Sequence, residues 1–307
     1  MIARYLPQAG SALLAEHFDV DEGGEEELIA RVAGAAAVVA DPTAWVDAGL
    51  LDAAGKSLEV VANFAVGYDN IDLDACRERG VVVTNTPDVL TNATAELALA
   101  LMLAAARRTG EAERMVRAGE WRGWHPAQLL GRELSGSVVG IVGMGRIGTR
   151  VAELLRGFGV ALLYNARSRH AEPEERLGAA RVVLEELLER SDFVTLHVPL
   201  TPETHHLIDG EALARVKPGA VLVNTSRGGL VDSAALARAL SDGPLAAAGL
   251  DVYEQEPAVP ADLIALDNVV VLPHIGSATG EARNGMARLA AENVIAVLQG
   301  RAALTPV

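Results

Sequence analysis

The stretch Ser137-Val-Val-Gly-Ile-Val-Gly-Met-Gly-Arg-Ile-Gly148 most constrains what this chain can fold into. The apolar run 138–142 predicts a short buried parallel strand. Gly143, Gly145 and Gly148 then spell G-x-G-x-x-G, and a helical pattern follows from Arg146 to about Arg156. Gly143 permits the tight turn off the strand, Gly145 lets a pyrophosphate reach the backbone, and Gly148 lets helix pack on strand. The helix N-terminus offers unpaired N–H groups and a partial positive charge to phosphates. A second apolar run, 160–164, completes a βαβ unit. In that context the glycines predict dinucleotide binding and not merely a structural turn.

A chain of 307 residues can hold two domains, each with its own core. Half of the residues are hydrophobic and the mean hydropathy is +0.23, which suits buried α/β layers and argues against disorder. No apolar run reaches the length of a bilayer span. The start, Met1-Ile-Ala-Arg-Tyr-Leu-Pro7, lacks a basic head before an apolar core, so a cytoplasmic protein without a secretory signal is expected. The net charge of −15 disfavours nucleic acid and anionic membrane as partners, but not small anions held by local arginines. The single cysteine, Cys76, excludes an internal disulfide and fits a reducing compartment. Its helical setting reads as that of a small buried hydrophobe.

Strand patterns at 35–40, 58–63 and 81–84 alternate with helical stretches, beginning with an amphipathic helix at 8–18. Gly23-Gly-Glu-Glu-Glu27 reads as a solvated acidic connection. Asn63-Phe-Ala-Val-Gly-Tyr-Asp-Asn-Ile-Asp72 follows the second strand, where it is either an anion nest or an ordinary turn. Residues 91–108 predict a buried helix, apolar nearly all round. Residues 111–133 hold Trp121 and Trp124 in a polar setting, which fits a dimerisation arm or a local hydrophobic cluster. Further strands are expected at 191–198, 220–224, 247–252 and 269–272, with helices at 182–188 and 281–298. The whole reads as an α/β chain with doubly wound parallel sheets.

Three of these strands end in reactive side chains: Arg227, a carboxylate segment reaching Glu256, and His274. In an open α/β sheet such ends emerge where the dinucleotide lies. Arginine can hold a carboxylate in a two-pronged hydrogen bond, and histidine is the usual proton donor near neutral pH. A nearby carboxylate favours the imidazolium. Singly, each could be a surface ion pair, a loop charge or a satisfied histidine; together they fit a carbonyl-reducing site. His205 and His206 are adjacent and cannot both face one metal from a regular element, so no metal is expected. His17, His125, His170 and His197 read as structural or solvated.

NAD-preferring sites place an acid about 20 residues after the first glycine. Here Asn165 stands in that place, followed by Arg167, Ser168 and Arg169. An absent acid beside guanidinium groups favours a 2′-phosphate and hence NADPH over NADH; the other reading is a basic loop that tolerates either.

Taken together, these residues resemble the D-isomer-specific 2-hydroxyacid dehydrogenase family, nearest its glyoxylate/hydroxypyruvate reductase branch. The resemblance rests on 60–72, Thr84-Asn-Thr-Pro-Asp-Val-Leu-Thr-Asn-Ala-Thr-Ala-Glu96, 140–148, His197-Val-Pro-Leu-Thr201, Asn224-Thr-Ser-Arg-Gly228, Gly249-Leu-Asp-Val-Tyr-Glu-Gln-Glu-Pro257 and Leu272-Pro-His-Ile-Gly-Ser277, in that order. It implies two doubly wound, Rossmann/flavodoxin-like domains with a cleft between them, and a homodimer. The expected division is 1–94 plus 282–307 for substrate, and 95–281, including the arm, for the dinucleotide. Arg227, Glu256 and His274 become the catalytic trio. Val66 and Gly67, through their backbone amides, hold the substrate carboxylate with Arg227, and Trp124 reaches a partner's site. Cofactor contacts are implied at Gly143, Gly145, Arg146, Ile147, Gly148, Asn165, Arg167, Ser168, Arg169, Val198, Pro199, Thr204, Thr225, Asp251 and His274. The implied reaction is reduction of a small 2-oxoacid, glyoxylate or hydroxypyruvate, with hydride from NAD(P)H and a proton from His274. The alternatives are another 2-hydroxyacid dehydrogenase, such as a phosphoglycerate-type enzyme, and a non-enzymatic nucleotide-sensing corepressor. The chain departs from the family pattern in a clipped first strand, in Asn92 where an aspartate is expected, and in an arginine at 167 displaced by one position.

Overall fold

In the computed structural model, residues 1–23 and 28–307 are described; most of the acidic connection, 24–27, lies outside them. The chain forms two compact units, Met1–Leu90 with Ser277–Val307, and Thr91–Gly276. The resemblance puts the divisions after 94 and 281. The units divide after Leu90 and Gly276, so that the helices Thr91–Ala106 and Gly280–Leu298 each stay whole.

In the first unit β1 (Ala37–Ala40), β2 (Val60–Asn63) and β3 (Val82–Thr84) pair in parallel, in that order. Every residue of β1 and β2 is buried, as expected of parallel strands covered on both faces. The clipped first strand is reduced to one bridge, Ile2 with Val39. At the other edge Pro306 pairs antiparallel with Thr84. Asp47 and Asp72 cap the helices Ala48–Ala54 and Leu73–Glu78 by accepting from Leu50 N and Ala75 N. Cys76 is buried, and burial followed by the Asp72 charge pushes its thiol up to about 11. It is a core side chain with little thiolate character at neutral pH.

The second unit is built on seven parallel strands: β4 (Val138–Val142), β5 (Ala161–Asn165), β6 (Ala180–Arg181), β7 (Phe193–Leu196), β8 (Ala220–Asn224), β9 (Leu245–Leu250) and β10 (Val269–Val271). Their order is β10-β9-β8-β7-β4-β5-β6. The direction of winding reverses between β4 and β7, and the glycine turn leaves β4 at that switch point. The buried helix Thr91–Ala106 packs on the helix Arg146–Leu155 and on β8 and β9.

Several element ends differ from the sequence patterns. β7 stops at Leu196, two residues before the apolar run ends, because its register partners Val142 and Asn224 are themselves the last of their strands. His197 therefore lies just beyond the strand. β9 runs Leu245–Leu250 and not 247–252, so Asp251 and Val252 fall outside it. The helix expected from 182 begins at Leu184, since Val182 N donates to Tyr164 O along the sheet edge. The first helix ends at Ala15, which leaves His17 in a turn. Among the described residues no helix is long and apolar enough to cross a membrane.

Candidate active site

The turn from β4 into the helix Arg146–Leu155 has the geometry that the glycine spacing predicts. Gly143 adopts φ +99°, and a Cβ at Gly148 would lie 2.0 Å from Gly143 O, so strand and helix could not approach with a side chain there. A Cβ at Gly145 would meet nothing within 4 Å. Gly145 is also the N-cap, and no side chain caps the helix. An open backbone thus faces space at an uncapped helix start, which fits a pyrophosphate.

The ends of β8, β9 and β10 carry the titratable groups. His274 Nδ1 lies 2.7 Å from Glu256 Oε2, while Glu256 Oε1 accepts from Tyr253 N at 3.0 Å. Burial pushes the Glu256 carboxyl up. The hydrogen bonds from His274 and Tyr253 N, with the charges of His274 and Arg227, outweigh it and hold the carboxyl below its usual range. His274 sits at φ +54°, a left-handed conformation uncommon for a non-glycine residue. Its N–H donates to Asp251 O at 2.9 Å. Asp251 is fully buried and accepts from Ile275 N and Gly276 N, both at 2.7 Å. Burial nonetheless raises its carboxyl above the usual value. These bonds fix the backbone on either side of the imidazole.

Arg227 is set by the loop after β8. Asn224 Nδ2 donates to Arg227 O at 2.8 Å, and Ser226 Oγ donates to Leu196 O at 2.8 Å. A Cβ at Gly228 would fall 1.8 Å from the Tyr253 carbonyl carbon, so only glycine lets this loop lie against the segment leading to Glu256. The Tyr253 hydroxyl donates to Leu272 O at 2.8 Å and joins that segment to the one before His274. Tyr253, Asn224 and Ser226 were not singled out in the sequence as holding the site. Their adjacency to the trio was the available signal. Thr225 Oγ1 is buried and has no partner among the described residues, an orphan that a bound cofactor could satisfy.

Beyond β5 the four adenosine-end candidates diverge. Asn165 Nδ2 donates to Val182 O at 3.1 Å, so this amide holds the sheet edge. Arg169 pairs with Glu174 at 2.7 Å. Arg167 and Ser168 are exposed, and the backbone under Arg167 is held by Arg181, which donates to Ala166 O and Arg167 O. Arg167 therefore stands nearer to an unengaged guanidinium than Arg169 does. Val198 and Pro199 follow β7 at the switch point, and Thr204 Oγ1 donates to Pro199 O at 2.7 Å, closing that loop. His197 is neutral, its ring pushed down to about 3 by burial. His206 lies 3.2 Å from Glu254 Oε2.

In the first unit, Val66 and Gly67 lie in the loop after β2. Their carbonyls accept from Asn85 Nδ2 at 2.8 Å and Asn63 Nδ2 at 2.7 Å. Among the described residues nothing accepts from their N–H groups. Trp124 is 82% exposed, with Trp121 and Leu130 also exposed in the same arm.

Comparison with known proteins adds the following. The family model for the NAD-binding domain of D-isomer-specific 2-hydroxyacid dehydrogenases matches residues 99–276. A glyoxylate reductase of Thermococcus onnurineus is 50% identical over 98% of this chain and 92% of its own length. The structure of an NADPH-dependent glyoxylate/hydroxypyruvate reductase from Sinorhizobium meliloti, in complex with NADP and malonate, superposes with a TM-score of 0.90 at 37% identity, covering 100% of this chain and 95% of that one. A D-lactate dehydrogenase from Aquifex aeolicus, complexed with NAD and lactic acid, gives a TM-score of 0.87 at 28% identity, over 97% and 95% of the two chains.

Proposed function

Because the chain belongs to the D-isomer-specific 2-hydroxyacid dehydrogenases, on the glyoxylate reductase branch, we propose that it reduces glyoxylate, and hydroxypyruvate as a second substrate, with NADPH in preference to NADH. The observation that carries this reading is the 2.7 Å Glu256–His274 pair beside Arg227, at the strand ends of a dinucleotide sheet. A bound reduced nicotinamide would supply the hydride. Gly145 and the helix start at Arg146 and Ile147 would hold its pyrophosphate, and Thr225 and Asp251 would hold its nicotinamide end. His274 gives a proton to the substrate oxygen, and Glu256 orients the imidazole through its contact with Nδ1. In the second unit Arg227 binds a carboxylate and polarises the carbonyl. In the first unit, taken by itself, the Val66 and Gly67 N–H groups are carboxylate donors.

The preference for NADPH rests on the missing acid at 165 and on Arg167. The test is the initial rate of NADPH and of NADH oxidation with glyoxylate, hydroxypyruvate and pyruvate in parallel. Arg167→Glu should weaken NADPH by about 10- to 100-fold, the scale of one charge-assisted contact to phosphate, and NADH far less. Equal changes for both cofactors would contradict the phosphate assignment. Failure of the unmodified protein to turn over any of the three acids would sink the reductase reading itself.

The tryptophans of the exposed arm support a homodimer as the working state. Light scattering should give twice the chain mass, and Trp124→Ala with Trp121→Ala should shift it toward one. A single-chain mass for the unmodified protein would contradict the pairing.

A further inference from the structure

The loop after β2 is held by a hydrogen-bond chain that runs through the first unit. A trans peptide directs its C=O and N–H to opposite sides, so pinning a carbonyl aims the next residue's N–H. Three successive carbonyls are pinned in this way. Ala65 O accepts from Thr86 N at 2.8 Å, Val66 O from Asn85 Nδ2 at 2.8 Å, and Gly67 O from Asn63 Nδ2 at 2.7 Å. The N–H groups thereby aimed are those of Val66, Gly67 and Tyr68, and among the described residues none of them donates to a protein group. Asn63 is itself fully buried and pairs with the buried Asn70 at 3.2 Å.

Asn85 is clamped from the far end of the chain. Its N–H donates to Thr305 O at 3.2 Å, and its carbonyl accepts from Thr305 Oγ1 at 2.7 Å. The same hydroxyl accepts from Asn293 Nδ2 at 2.9 Å. Asn293 is fully buried in the helix Gly280–Leu298, and its Oδ1 accepts from Leu304 N at 2.9 Å and Thr305 N at 3.1 Å. Its other amide bond goes to Leu289 O at 2.9 Å, so all four of its amide positions are used. Val307 N donates to Val83 O at 3.0 Å and completes the strap.

We propose that Asn85 is a positioning residue for the substrate carboxylate, and that Thr305, seated on Asn293, holds Asn85 in the conformation that aims the Gly67 N–H. The proposal rests on the reading of this loop as the carboxylate site and extends that site to a third donor, Tyr68 N–H. Losing the Asn85 bond frees the 66–67 peptide to rotate, which misdirects one of the three donors.

The test compares Asn85→Leu, Thr305→Val and Thr305→Ser with the unmodified protein. Affinity for oxamate, a non-reacting carboxylate analogue, is measured by calorimetry in the presence of NADPH. KM and kcat for glyoxylate, NADPH affinity and Tm are measured alongside. Asn85→Leu and Thr305→Val should each weaken oxamate and raise KM by about tenfold, the scale of one hydrogen bond to a charged group. NADPH affinity and kcat should change little. Thr305→Ser keeps the hydroxyl and should restore both values at an unchanged Tm. Unaltered oxamate affinity in folded Asn85→Leu and Thr305→Val would overturn the proposal, as would equal losses of oxamate and NADPH binding. If the unmodified protein binds oxamate but reduces no 2-oxoacid, the reductase reading fails, while loss of oxamate binding in the variants still supports the role of Asn85. If the unmodified protein does not bind oxamate, the proposal falls.

Discussion

His274→Ala should lower kcat for glyoxylate reduction by about 10²- to 10⁴-fold, the usual contribution of a positioned general acid. NADPH affinity should stay nearly unchanged, because the imidazole is held by Glu256 Oε2 and by its own backbone, and not by the glycine turn. The measurement is steady-state kinetics with fluorescence titration of the cofactor. Equal loss of rate and NADPH affinity would contradict the acid's role and point to local collapse of the segment before the helix Gly280–Leu298. Glu256→Gln separates the two members of the pair. It keeps a hydrogen-bond acceptor near Nδ1 but removes the carboxylate charge. The rate should therefore fall, but less than in His274→Ala. An unaltered rate would mean that Glu256 does not act through His274.

The supports of this pair were only partly legible in the chain. The apolar runs leading into Asn224 and Asp251 mark strand ends because parallel strands covered on both faces are apolar nearly throughout, whereas the run before His274 belongs to an edge strand whose Val271 is exposed. The same signal overran β7, since Val198 is apolar yet lies beyond the last register partner. The glycine turn was legible because Gly143 and Gly148 answer local steric demands of the chain, while Gly145 keeps the space before the helix open. Asn85 was not, since its reach to Val66 O and its clamp by Thr305 join residues 19 and 220 positions apart. Neither periodicity nor spacing carries that information. Arg169 shows the converse. Sequence placed it with Arg167 as a phosphate ligand, and its pairing with Glu174, five residues on, makes it the more engaged of the two.

Arg227→Ala should lower kcat/KM for glyoxylate by about 10³-fold, since two charge-assisted hydrogen bonds to a carboxylate contribute roughly 3–6 kcal/mol net of their exchange with water. Both KM and kcat should suffer, because in its proposed role the guanidinium binds the acid group and also polarises the carbonyl as charge develops on its oxygen. Arg227→Lys keeps the charge but not the planar fork, so it should recover only part of the loss. A second readout follows from Glu256. Burial pushes that carboxyl up, and the Arg227 charge is one of the influences that bring it below its usual range. Without that charge the carboxyl rises, and Glu256 takes up a proton at higher pH. The acid side of the kcat/KM profile should therefore move to higher pH in Arg227→Ala and much less in Arg227→Lys. Loss of rate in Arg227→Ala with a fixed acid limb would leave Arg227 as a substrate ligand alone. A rise in KM with unaltered kcat would remove it from the chemical step.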